Sequence, residues 1–376
     1  MKKTVALCIL FALSLISLPV HANKLQGDPG AVSRLKFFEN KQDFSEGEFH
    51  NVKFDPSRGL ILERVDRDYL TSGTYISPVT KAPFPMTELL PSWNVEVYNF
   101  TGFAVYLKVS RKGDDWSPWL FLGRGGRTPA LNDRRLRWND AVVDVDYVLF
   151  NELHEYFQWK VVLYRSVVDD TPALSLFTAC MGNSSGNKKI FERFGKEKKM
   201  VEGWKKRLDV PYRSQLSDEV NPAVREAVCC PVSVAMVLEY YGLNLPTMQV
   251  CDLCFDKIYE IWGVWPRASQ TLGEFGLRSY ITQIRNFSEI KDFISRDIPL
   301  IISIRAKKGE INSAPYNSAP GHLLVITGLD ENEDVWVNDP YNVDNKTGPR
   351  LYKKEEIQKV LINKGGVAIV SEKPAD

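Results

Sequence analysis

The turn-rich, polar stretch Met181-Gly-Asn-Ser-Ser-Gly-Asn187 divides this sequence into a β-patterned segment and a mixed one, and that break constrains the fold more than any other feature. From about Leu35 to Cys180 the chain reads as β-rich. Phe103–Val109 and Trp159–Arg165 have strand composition. Polar turns at Arg111–Asp115, Gly123–Gly126 and Asp169–Pro172 punctuate them. Short strands between such turns predict an antiparallel sandwich. After the break, Lys188 to Arg207 carries nine basic residues against three acidic ones, the composition of a solvated linker or exposed helix. The organisation expected is a β-sandwich domain over 23–183, a basic linker over 184–206 and an α+β domain over 207–376.

In the second segment Pro231 to Tyr241 predicts a helix. Val234, Val237, Leu238 and Tyr241 recur at helical spacing, and Gly242 closes it. Glu289 to Arg296 reads as a short helix, and Asp297 to Arg305 leads into a buried strand. Gly321–Leu329 and Asp334–Asp339 predict a hairpin across the Asp330–Glu333 turn. Helices first and an antiparallel sheet later is an α+β order.

The chain opens Met1-Lys2-Lys3, runs apolar from Val5 to Val20 and reaches Ala22, the pattern of a signal peptide over residues 1–22. Cys8 lies inside the apolar stretch, which argues against a lipoprotein anchor; retention of the stretch as an uncleaved anchor is the alternative. Export to a secreted or periplasmic location is expected, with no stable membrane span after cleavage. A net charge of +1 gives no argument for nucleic acid as a partner. Cleavage leaves Cys180, Cys229, Cys230, Cys251 and Cys254, and an oxidising compartment would pair four and leave one thiol free.

Four histidines occur, at 21, 50, 154 and 322, and only His322 lies in the C-terminal half. Pro231 suits the first turn of a helix, which puts Cys229 at the helix N-terminus. Free N–H groups and the helix dipole favour a thiolate there. Taken alone, Cys229 and Cys230 would read as small core residues or disulfide partners. His322 and Asp339 flank the hairpin turn 17 residues apart, so they face each other directly or lie diagonally on one sheet face, depending on where the turn centres. A cysteine, a histidine and a carboxylate in this arrangement are a nucleophile, its base and the group that orients the base. Asp339 before Pro340 equally suits a turn. Gln215, in the loop Pro211–Gln215, is a candidate donor to a developing oxyanion.

Leu208–Gln215, Cys229–Ser233 with Met236–Gly242, Gly321–Gly328 and Val337–Pro340 together resemble family thirty-nine of the cysteine peptidases. That is the bacteriocin-processing type within the papain-like clan, here in a stand-alone exported form. The resemblance covers roughly Leu208 to Val370. It implies a papain-like domain with nucleophile Cys229, base His322, orienting Asp339 and oxyanion donor Gln215, acting on a peptide or protein substrate. The residue after the nucleophile is usually glycine or serine in such proteins; here it is Cys230. Thr87–Asn94 is similar to the β-domain that precedes some exported peptidases of this type. The membrane spans and P-loop of bacteriocin exporters are not found in this sequence, so export-coupled leader removal is not expected.

The reading is an exported cysteine peptidase or amidase working through a thioester, with no cofactor and no metal required. The alternatives are a related acyl transferase and a catalytically silent envelope protein that binds peptide or glycan. Five tryptophans, at 93, 116, 119, 138 and 159, would suit cell-wall glycan, although aromatics in a sandwich mostly fill its core. Cys251-Asp-Leu-Cys254 suggests a structural disulfide. The polar loop Arg305–Pro320 runs directly into His322, where loops often cover substrate. The C-terminal domain cut at about Glu202 is expected to fold alone.

Overall fold

The computed structural model describes residues 30–66, 68–129, 134–166, 170–195, 202–343 and 348–374. The expected signal peptide lies outside them. Strands dominate, in an N-terminal β-rich domain followed by a mixed α/β domain.

Among the described residues, twelve strands of the first domain form one sheet. Two long strands, Thr80–Glu96 and Tyr147–Arg165, pair with each other and with different neighbours along their length, so the layers of the expected sandwich are continuous. The sheet encloses an apolar core in which Trp159 stacks on Phe177 at 4.2 Å. Trp93 and Trp159 belong to that core. Trp116 and Trp119 lie partly exposed, each with the ammonium of Lys108 over its ring. Within the basic run, the helix Lys188–Phe194 docks on this domain through Phe194 against Phe84.

Among its described residues the second domain carries a seven-stranded sheet, its strands antiparallel wherever they pair. Its centre is Leu300–Ala306 beside Ala319–Leu329, flanked by Val367–Glu372 and Val335–Asn338. The helix Cys229–Tyr240 packs on Ala319–Leu329. The sequence predicts one apolar stripe on it, yet Cys230 through Leu238 are all buried. The helices Thr247–Cys254 and Trp265–Glu274 cover its other sides, so it is surrounded. Gly242, at φ +95°, ends it in left-handed backbone that a side chain would strain. Among the described residues no helix is long and apolar enough to cross a membrane.

The two domains share a core. Leu90, Leu176 and Cys180 of the β-rich domain pack in the same apolar cluster as the central helix. The Asn94 side chain donates to Ser279 O at 2.9 Å and accepts from Ser279 N at 3.0 Å. Gln270 does the same for the Val95 backbone, at 2.5 and 2.8 Å. Arg285 and Glu88 form a buried ion pair across the boundary at 3.0 Å. These contacts argue against a self-sufficient C-terminal domain, because buried polar groups of each domain are satisfied by the other.

The disulfide expectation also fails, because all five cysteines in the described residues are free. Cys251 and Cys254 lie one turn apart on a single helix, and burial pushes both thiols up to about 12. Cys180 is committed to Gln283, its Sγ donating to Oε1 at 3.9 Å.

Candidate active site

Cys229 begins its helix, with Val228 at the cap position offering no side-chain partner to the free N–H groups. One turn on, Ser233 Oγ donates to Leu323 O at 3.3 Å, which ties the helix to the strand beside His322. His322 interacts electrostatically with the Cys229 thiol on one side and, through Nε2, lies 2.8 Å from Asp339 Oδ1 on the other. Three of the sequence-derived candidates thus come together at one place.

The hairpin places the pair diagonally. Val325 faces Asn338 and Ile326 faces Val337, so Asp339, just past its strand, falls opposite Leu324, two residues from His322. This is the register expected when the turn centres between Glu331 and Asn332. A bulge at Thr327 shifts the pairing nearer the turn without moving the pair to opposite faces. Asn338 points the other way, and its amide donates to Val210 O at 2.9 Å.

Asp339 is both a turn residue and a histidine partner. Its Oδ1 also accepts from Tyr341 N at 2.9 Å, a local turn ahead of Asn342. Its Oδ2 accepts from Tyr316 Oη at 2.9 Å and from Tyr352 Oη at 2.6 Å. The Tyr212 hydroxyl holds the same turn from below through the carbonyls of Asp339 and Asn342. Sequence reasoning missed all three tyrosines. Tyr316 comes from the polar loop before His322, and Tyr352 from the strand Pro349–Tyr352.

Electrostatics follow from these contacts. Burial disfavours the Cys229 thiolate, but the hydrogen bond and positive charge of His322, with the N–H groups of Leu323 and Cys230, outweigh it and set the thiol below its ordinary range. Burial likewise disfavours the imidazolium, yet the charge of Asp339 and its hydrogen bond push His322 up to about 10. Asp339 is held below the usual carboxylate range: burial opposes this, and His322 with the Tyr352 hydroxyl and the Tyr341 N–H overrides it. The opposite directions of the Cys229 and His322 shifts favour a thiolate–imidazolium pair over two neutral groups.

Cys230 is excluded from the cleft. It is fully buried, facing Cys254 and Cys251, and burial drives its thiol well above the ordinary value. Gln215 is also buried. Its N–H donates to Pro340 O at 2.8 Å and its Nε2 to Arg225 O at 2.5 Å, bridging the segment after Asp339 and the segment before Cys229. Its Oε1 has no partner.

Residues 207–369 match the Peptidase_C39-like family, and residues 34–182 match the Peptidase C39 N-terminal domain. The C-terminal domain belongs to the Peptidase_C39-like family. Among curated proteins none matches the chain. A solved structure of a double glycine motif protease from an AMS/PCAT transporter, in complex with its leader peptide, is 19% identical over 46% of this chain and 97% of that one, with a TM-score of 0.31. A thermostable Cel12A cellulase derived from Rhodothermus marinus is 11% identical over 41% and 99%, with a TM-score of 0.18. Both likenesses are too loose to carry an argument. Within the Peptidase_C39-like domain, Cys229, His322 and Asp339 come from the first-turn cysteine, the central strand and the turn that follows its hairpin partner.

Proposed function

We propose that this chain is an exported cysteine peptidase in which Cys229 is the nucleophile. The observation that carries the reading is the His322–Asp339 pair at 2.8 Å acting on the Cys229 thiol at the edge of a cleft of about 560 Å³. The thiolate attacks a peptide carbonyl and forms a thioester, and His322 gives its proton to the leaving amine. His322 then takes a proton from water, which attacks the thioester and releases the acid. Asp339, held by the two tyrosines, fixes the imidazole orientation and stabilises its charge. Gln215 uses one amide hydrogen on Arg225 O; its second hydrogen, with the N–H of Cys229, is our candidate oxyanion donor set.

The test is cleavage of a mixed peptide library by the exported, full-length protein, read by mass spectrometry. Cys229→Ala is expected to abolish new termini, and a quenched wild-type reaction to show an acyl adduct on Cys229. Cleavage that survives Cys229→Ala would overturn the assignment.

A further inference from the structure

One wall of the cleft at Cys229 comes from the other domain. The strands Ala141–Asp144 and Tyr147–Arg165 pair Asp144 with Tyr147, leaving Val145 and Asp146 as a two-residue turn. All four residues line the cleft. Val145 has φ +55°, left-handed backbone that a β-branched residue rarely adopts. Such strain persists only where the surroundings enforce it. Here the peptidase domain does so. Asp146 Oδ1 accepts from Trp265 N at 2.6 Å, capping a helix that has no side-chain cap of its own. The Tyr147 ring stacks on Trp265, with centroids 5.7 Å apart and planes 22° apart.

The rest of the lining is mostly apolar in area, with Glu226, Glu260, Ser303, Arg305 and Lys364 also bordering it. Trp262 and Leu323 line the recess, Leu323 being the neighbour of His322. Ile261 also lines it and is 41% exposed, an apolar surface without cover beside the nucleophile. A mostly apolar recess with aromatic walls at a reactive group is built to take a side chain rather than bare backbone.

We propose that the hairpin tip Asp144–Tyr147 is a specificity element: with Ile261 and Trp262 it seats one bulky apolar side chain of the peptide substrate beside the bond attacked by Cys229. The proposal rests on Cys229 being the nucleophile. It assigns the β-rich domain a direct part in choosing the substrate. Tyr147 supplies contact area, Val145 and the Asp146 cap hold it in place, and the peptidase domain alone would have an open side.

The full-length protein is treated with acetyl-tripeptide vinyl sulfones that carry phenylalanine at one position in turn, or glycine throughout. Each rate of Cys229 modification is divided by the rate with iodoacetamide, which needs no side-chain site. At one position phenylalanine is expected to react at least about tenfold faster than glycine. Tyr147→Ala is expected to lose most of that preference, and Tyr147→Phe to keep it. Ile261→Asp, at an exposed position where folding is not at risk, is expected to lose it too. A preference absent from wild type, or intact in both Tyr147→Ala and Ile261→Asp, overturns the proposal. If neither vinyl sulfone nor iodoacetamide modifies wild-type Cys229, the nucleophile assignment falls first and takes this proposal with it.

Discussion

At the scale of single residues the site depends on Asp339. Its carboxylate serves His322, Tyr341, Tyr316 and Tyr352 at once, so removing it touches both catalysis and stability. Asp339→Ala is therefore expected to lower turnover and stability together. Truncation leaves a buried hydroxyl, a half-buried one and an imidazole short of a partner, at about 1–3 kcal/mol for each buried stranded group. Asp339→Asn keeps the volume and one acceptor. It is expected to lower kcat by roughly 10²-fold, the scale of a misplaced general acid–base, with a smaller loss of stability than Asp339→Ala. Steady-state kinetics beside thermal melts would check this; equal kcat in Asp339→Asn and wild type would contradict it. The sign of the pH effect follows from the depressed carboxylate. The unfolded chain, with an aspartate near about 3.9, binds its proton first as pH falls. The stability contributed by Asp339 is present above that value and is lost as pH falls through the folded pKa. Asp339→Asn should show a shallower loss of Tm over that acid range than wild type.

At the scale of elements, the helix start at Cys229 and the hairpin that brings His322 to Asp339 were legible in the sequence. Pro231 marks the first turn, and the alternation on both sides of Asp330–Glu333 sets the shared face. Two other helices were not legible, for different reasons. Thr247, Val250, Cys251 and Cys254 form a buried stripe at helical spacing, but the two cysteines invite reading as a disulfide. In Trp265–Glu274 the buried residues include Ser269, Gln270 and Thr271, and Gln270 is satisfied by the backbone of the other domain. A polar residue paired across a domain boundary leaves no hydrophobic period to read. Tyr316 and Tyr352 were invisible for a related reason, since nothing local ties them to Asp339. The central helix also separates its two cysteines: Cys229 opens on the cleft, and the next position turns into the core. Cys230→Ser should leave the adduct of a thiol-directed probe on Cys229 and lower stability by about 1–3 kcal/mol through a buried hydroxyl. Peptide mapping and denaturant melts would check this, and an adduct that disappears with Cys230 would reverse the assignment of the two thiols.

At the scale of the whole molecule, the two sheets are one folding problem. Asn94 reaches Ser279, Gln270 reaches Val95 and the Arg285–Glu88 pair is buried between the domains. Breaking a buried pair by removing one partner costs about 3–5 kcal/mol, and a cut at Glu202 removes Glu88 together with the apolar cover of Leu90 and Leu176. The isolated segment 202–376 is thus expected to melt without cooperativity and to bind a hydrophobic dye, whereas the full chain melts as one transition. Two independent transitions in the full chain would contradict this. The central claim is the thiolate–imidazolium pair at Cys229 and His322, and its most direct test is the pH dependence of Cys229 alkylation in the intact protein, mapped by mass. Wild type should react at mildly acidic pH, well below the range of an ordinary thiol, while His322→Ala should react there at least about tenfold more slowly. Alkylation of Cys229 that rises only in the ordinary thiol range, unchanged by His322→Ala, would contradict the account.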